Sequence, residues 1–160
     1  MLKLVSEREL INDDELKTIY LYPSLIHVSR EPILIKTILG SCVSVCLWDK
    51  TKKYGGMNHF MLPGVNGTDV LSAKYGNVAI EELVTKMRKI GSYQENLVAK
   101  IFGGSDTFKH ESGIGIKNID TAYRLLKLMK IPVVASNTGG RKGRKLLFNT
   151  YSGEVLMKLI

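Results

Sequence analysis

The residues best placed to do chemistry in this chain are Cys42 and His59. Cys42 stands in Leu39-Gly40-Ser41-Cys42-Val43, and His59 follows seventeen residues later within Gly55-Gly56-Met57-Asn58-His59-Phe60-Met61-Leu62-Pro63. A thiol at the mouth of a strand, reached through a Gly-Ser turn, lies where backbone amides can point at a bound oxyanion. An imidazole beside it would act as its base, the arrangement of a cysteine nucleophile. One Cys and one His on neighbouring strands are more often core filler than a dyad, so the residue types alone do not establish a nucleophile. His27 and His110 have no such neighbour and read as surface positions. Cys46 shares the parity of Cys42 but reads as a small buried hydrophobe. In an extended strand, residues four apart are separated by about 13 Å, beyond disulfide reach. Both cysteines are therefore expected as free thiols, in keeping with a reducing compartment.

Strands must position this pair. Ile33 to Ile38 and Val43 to Trp48 are β-branched and apolar, Asp49 to Tyr54 is a polar turn, and a run from Gly55 to Pro63 completes a hairpin. With Trp48 opposite Gly55, His59 faces Ser44 and shares a sheet face with Cys42. A slip of one residue would carry His59 to the other face. Helical spacing takes over from Asp69 to Ile90, with Val70, Ala73, Val78, Leu83, Val84, Met87 and Ile90 recurring every three to four residues. Thr68 or Asp69 is the expected cap and Gly91 the stop, with Gly76 weakening the first half. Leu97 to Phe102 reads as a strand ended by Gly103-Gly104. Asn118 or Asp120 caps a second helix with Ala122, Leu125, Leu126 and Met129 on one face. Strands at Val133 to Ser136, Lys145 to Thr150 and Glu154 to Leu159 close the chain. The expectation is an α+β fold: mainly antiparallel sheets with two principal helices packed outside, in a single layered domain over residues 1–160. Residues 1–30 are expected to form an irregular amino-terminal arm.

With 44% hydrophobic and 24% charged residues in 160, the composition excludes a disordered, collagen-like or coiled-coil chain. A core of this size needs no metal or disulfide staple. Twenty-three Lys and Arg against fifteen Asp and Glu leave a formal charge of +8, which favours anionic partners without naming them. Nucleic-acid binding would call for aromatics interleaved with a dense basic stripe. Here Lys50, Lys52 and Lys53, and Arg141, Lys142, Arg144 and Lys145, read as solvated turns. Charges interrupt the first ten residues and no apolar window reaches spanning length, so neither a signal peptide nor membrane insertion is expected, and the chain is placed in the cytoplasm. Gly113-Ile114-Gly115 lacks the third glycine and the Lys-Ser/Thr pair of a phosphate loop and reads as a plain loop.

The stretches Leu39-Gly40-Ser41-Cys42-Val43-Ser44-Val45-Cys46-Leu47 and Gly55-Gly56-Met57-Asn58-His59-Phe60-Met61-Leu62-Pro63 together closely resemble CheD, the chemoreceptor glutamine deamidase family of bacterial and archaeal chemotaxis. The likeness continues through Ala99-Lys100-Ile101-Phe102-Gly103-Gly104 and Gly153-Glu154-Val155, covering most of the chain after residue 33. The resemblance implies a cysteine hydrolase that converts glutamine side chains of methyl-accepting chemoreceptors to glutamate with release of ammonia, through a thioester. Some members also act on glutamyl methyl esters, and no metal or organic cofactor is involved. Cys42 falls on the family's nucleophile and His59 on its base. The family's third residue is a threonine a few places upstream of the cysteine, where Lys36 and Thr37 both stand. Thr37, the one hydroxyl residue between Glu31 and Gly40, is assigned to it. Gly40, Ser41, Gly104 and Ser105 are expected to line the substrate slot. The implied partners are receptor cytoplasmic helices, rich in Glu and Gln, and a CheC-type phosphatase, with Arg141, Lys142, Arg144 and Lys145 as a docking cluster. The alternative is a non-catalytic module that binds receptors or that phosphatase.

Overall fold

The computed structural model describes residues 2–4, 16–64, 71–106 and 113–160. The elements in chain order are strands β1 (Leu2–Leu4), β2 (Lys17–Tyr20), β3 (Ile26–Ser29), β4 (Ile33–Leu39), β5 (Val43–Asp49) and β6 (Tyr54–Asn58), helix α1 (Gly76–Lys89), strand β7 (Leu97–Gly103), helix α2 (Ile114–Leu128), and strands β8 (Val133–Thr138), β9 (Arg144–Asn149) and β10 (Val155–Leu159). They form two five-stranded sheets, ordered β1-β10-β9-β4-β2 and β3-β6-β5-β7-β8.

Three layers follow from the alternation along β5. Val43, Val45 and Leu47 face the helices and pack with Ala79, Ile80, Leu83, Ala122 and Leu126. Cys46, of the opposite parity, packs with Met57, Phe102, Ile35, Leu39 and Phe148 between the two sheets. A strand covered on both faces must be apolar throughout, which is why the run from Val43 to Trp48 lacks polar alternation. Among the described residues, no helix is long and apolar enough to cross a membrane.

The α+β architecture expected from the sequence is observed, and five of the eight strand pairs are antiparallel. The sheets are nevertheless mixed, since β1 with β10, β2 with β4, and β7 with β8 run parallel. The last pair is joined through α2, a crossover that returns the chain in the same direction. The segment expected to be irregular, residues 1–30, contributes β1, β2 and β3, whose pairing partners lie far along the chain and leave no local signature.

Both helices begin elsewhere than expected. Residues 71–75 are not helical, because Lys74 O accepts the amides of Met61 and Leu62 and Tyr75 bridges to Leu62, so α1 starts at Gly76. Helix α2 starts at Ile114, before either expected cap, after Gly113 turns the chain with a φ of 73°. The expected buried face is present, with Ala122, Leu125 and Leu126 in the core and Met129 against it. Thr68, Asp69, Val70 and His110 lie outside the described residues.

Candidate active site

Cys42 stands just before β5, at the end of the Gly40-Ser41 turn from β4. It is half-buried, and Gly40 beside it is exposed. The end of β7 clamps this turn: Gly104 N donates to Cys42 O at 2.8 Å and Ser105 N to Gly40 O at 3.0 Å. Gly103 makes the clamp geometrically feasible. Its φ is +106°, and a Cβ there would lie 2.2 Å from Cys42 O, so no side chain fits.

His59 follows β6. The β5–β6 hairpin has the expected register, with Trp48 opposite Gly55 and Cys46 opposite Met57, and the bridge from Val43 to Phe60 continues it. His59 therefore falls opposite Ser44, and Cys42 is its diagonal neighbour on the same face, a relation that places Cα atoms about 7–8 Å apart. The backbone ladder is broken next to the histidine. Val45 N donates to the side-chain Oδ1 of Asn58 at 2.8 Å, and Asn58 Nδ2 donates to Ala79 O at 3.1 Å. The His59 backbone instead pairs with the chain between β2 and β3, its N–H on Leu25 O and its carbonyl accepting from Ser24 N.

The ring is held from the other sheet. Thr37, fully buried on β4, has its Oγ1 2.8 Å from His59 Nδ1 and donates to Leu21 O at 2.7 Å. A hydroxyl has one proton, and here it goes to Leu21 O, so Thr37 accepts from His59 Nδ1–H. The tautomer follows: Nδ1 carries hydrogen and Nε2 is the free basic nitrogen. Thr37 shares parity with Ile35 and Leu39 in the inter-sheet core. Lys36 shares parity with Leu34, which packs with Leu147 on the outer face. Of the two upstream positions, Thr37 is the one beside the imidazole.

Burial sets the charge state. The His59 imidazole, 2% exposed, is pushed down from 6.5 to about 4 by desolvation, a shift that its hydrogen bond to the Leu21 carbonyl only partly offsets. Burial also pushes the Cys42 thiol up, against the opposing hydrogen bond from its own amide N–H. At neutral pH the pair rests as thiol and neutral imidazole. Cys46 is buried and pushed up to about 12 by desolvation, with Lys100 across the strands opposing, so its thiol is inert. Both cysteines are free thiols.

The remaining sequence-predicted site residues divide. Gly40 and half-buried Ser41 lie next to Cys42 near the surface. Gly104 and Ser105 are buried behind the turn, where their amides brace it. In the basic cluster, Arg141 and Lys142 are exposed, but Arg144 is buried and spends its guanidinium on Asn137 Oδ1 and the carbonyls of Gly139 and Lys142. It therefore secures the β8–β9 turn and offers no charge for docking. Sequence reasoning missed Leu21, Asn58 and Asn118. Asn118 Nδ2 donates to Ser41 O at 2.9 Å and to Met61 O at 3.0 Å, joining the segments that carry Cys42 and His59. A buried asparagine inside a helix was the available signal, but the sequence pointed to a cap.

Comparison with known proteins gives concordant matches. The family model described as CheD chemotactic sensory transduction matches residues 61–159. A Trichlorobacter lovleyi protein named probable chemoreceptor glutamine deamidase CheD is 47% identical over 141 residues, spanning 86% of this chain and 88% of its own. A Sulfurimonas denitrificans protein of the same name is 41% identical, spanning 88% of this chain and 93% of its own. Spans of this extent run through residues 42–59. Among solved structures, the chain is similar to a Neisseria meningitidis protein at 12% identity and a TM-score of 0.49, covering 84% of this chain and 67% of that one, a likeness too weak to argue from.

Proposed function

The chain belongs to the CheD family, and on that premise we propose that it is a cysteine-dependent amidohydrolase that converts particular glutamine side chains of chemoreceptors to glutamate. Relatives carrying the name chemoreceptor glutamine deamidase support the substrate class. The observation that carries the mechanism is the Leu21–Thr37–His59 relay, which leaves Nε2 of the imidazole free to take a proton.

The chemistry requires only groups already placed. Because thiol and imidazole rest neutral, proton transfer from Cys42 to His59 Nε2 accompanies attack of sulfur on the carboxamide carbon. The C=O electron pair moves to oxygen, and backbone N–H groups around Cys42 stabilise the oxyanion, each well-placed donor contributing roughly 3–4 kcal/mol. The imidazolium returns its proton to the departing nitrogen, ammonia leaves, and a thioester remains. Water, deprotonated by the same Nε2, attacks the thioester; the sulfur leaves as thiol and the product is glutamate. Metal and organic cofactor have no part in the scheme.

Receptor cytoplasmic helices are the substrates in this reading, a CheC-type phosphatase is the regulatory partner, and the cytoplasm is where they meet. The net charge of +8 supports electrostatic steering toward acidic helices, an attraction that salt weakens. The support Thr37 gives His59 favours catalysis over a purely binding module. Incubation with a receptor cytoplasmic fragment should raise its mass by about one dalton per modified glutamine with equimolar ammonia, and Cys42→Ala and His59→Ala should be inactive. A wild-type protein that binds the fragment without shifting its mass would overturn the enzymatic reading.

A further inference from the structure

Asn118 is fully buried within α2, where asparagine is a mediocre helix former and caps nothing. Its Nδ2 reaches two carbonyls, Ser41 O at 2.9 Å and Met61 O at 3.0 Å. Both partners are acceptors, so the amide orientation is unambiguous. Its Oδ1 is buried without a partner, a cost the position bears. The helix comes this close because α2 has glycine at 115, where a Cβ would lie 2.5 Å from Gly104 O and 2.6 Å from Ser105 O. Ser41 immediately precedes the candidate nucleophile, and Met61 lies two residues after the candidate base.

We propose that Asn118 is a positioning residue for the Cys42–His59 pair, setting the direction of the Cys42 amide N–H and the spacing of the two segments; the proposal rests on the deamidase reading. The reason is peptide geometry. The Ser41–Cys42 bond is trans, so the Ser41 carbonyl and the Cys42 N–H point in opposite directions. Tying the carbonyl to α2 at 2.9 Å turns the N–H away from the helix. That N–H is next to the oxygen that becomes negative once sulfur has attacked, so a freely rotating Ser41–Cys42 peptide would misdirect an oxyanion donor.

The test compares Asn118→Leu, similar in size but without a donor, and Asn118→Ala with Leu126→Ala, a core truncation in the same helix. Thermal melts establish folding; deamidation of receptor fragment gives kcat and KM; iodoacetamide gives the alkylation rate of Cys42. Asn118→Leu should lose at least tenfold in kcat with KM within about twofold and alkylate several-fold more slowly. Leu126→Ala should melt earlier yet keep both rates within about twofold. Should Asn118→Ala fail to fold, Asn118→Leu, which leaves no cavity, carries the comparison. A folded Asn118→Leu with wild-type kcat and alkylation, or a Leu126→Ala that loses as much, overturns the proposal. If wild type deamidates nothing, the deamidase reading falls separately, and the alkylation rates still decide whether Asn118 positions Cys42.

Discussion

Replacing Thr37 by valine removes one hydroxyl from a fully buried site while preserving the shape of the side chain. Two hydrogen bonds disappear, at 2.7 Å to Leu21 O and 2.8 Å to His59 Nδ1. At about 1 kcal/mol each, with part of the desolvation cost of the freed groups added, stability should fall by about 1–3 kcal/mol. The catalytic loss is bounded from above. Complete loss of the correct tautomer would cost roughly 10⁴ in kcat. The Leu21 carbonyl also acts on His59, favouring a ring that carries hydrogen, so part of the support survives when the hydroxyl is gone. What is lost is orientation, one bond of about 1–2 kcal/mol, equivalent to roughly 5- to 30-fold in kcat. Thr37→Ser retains the hydroxyl and should stay within about threefold, and Lys36→Ala, on the outer face of the sheet, should be near normal. The assay is ammonia release from a receptor fragment, with urea titrations to verify folding. A folded Thr37→Val at wild-type kcat, or a Lys36→Ala equally impaired, would refute the reasoning. A 10⁴-fold loss would show that the Leu21 carbonyl holds nothing.

Because His59 is depressed from 6.5 to about 4, its basic form survives well below the usual range, and the acid limb of kcat/KM should lie near pH 4. Stability moves with the same group: as pH falls from 6.5 toward 4 the unfolded chain binds a proton that the folded chain refuses. Folding should therefore weaken by up to about 3 kcal/mol over that window, a slope His59→Gln should flatten in urea titrations at pH 7 and pH 4.5. With burial holding the Cys42 thiol up, iodoacetamide alkylation should keep rising into the alkaline range, and a plateau reached below pH 7 would reveal a preformed ion pair instead. Gly103→Ala should cost at least ~2 kcal/mol and abolish activity in whatever fraction folds, because its Cβ would collide with Cys42 O and the φ of +106° is strained for alanine; an active, stable Gly103→Ala would mean that the Cys42 turn has slack.

Net charge had invited a docking role for the cluster at residues 141–145, and the structure divides that cluster by burial. Arg144 turns inward to three turn acceptors, and its guanidinium is shifted below its ordinary value by desolvation, the mark of a structural charge. Steering by this region falls to exposed Arg141 and Lys142, with half-buried Lys145 beside them.

The hairpin was legible because it is local. A short polar turn from Asp49 to Tyr54 dictates which residues oppose each other, and period-two alternation then puts Cys42 and His59 on one face without reference to the rest of the molecule. The buried faces of both helices were legible for the same reason, since 3.6-residue periodicity is written into each segment. Tertiary structure decided everything that crosses between layers. Thr37 meets His59 only because two sheets stack, and the parity of β4, invisible until its packing partner is known, selects it over Lys36. Asn118 sits inside the helix and not at its start because it donates to two carbonyls in distant segments, the turn before Cys42 and the stretch after His59, and α1 yielded residues 71–75 to pairing with the segment beyond His59. Contacts between residues tens of positions apart depend on how apolar faces pack, and no local pattern of residue types encodes that choice of partner.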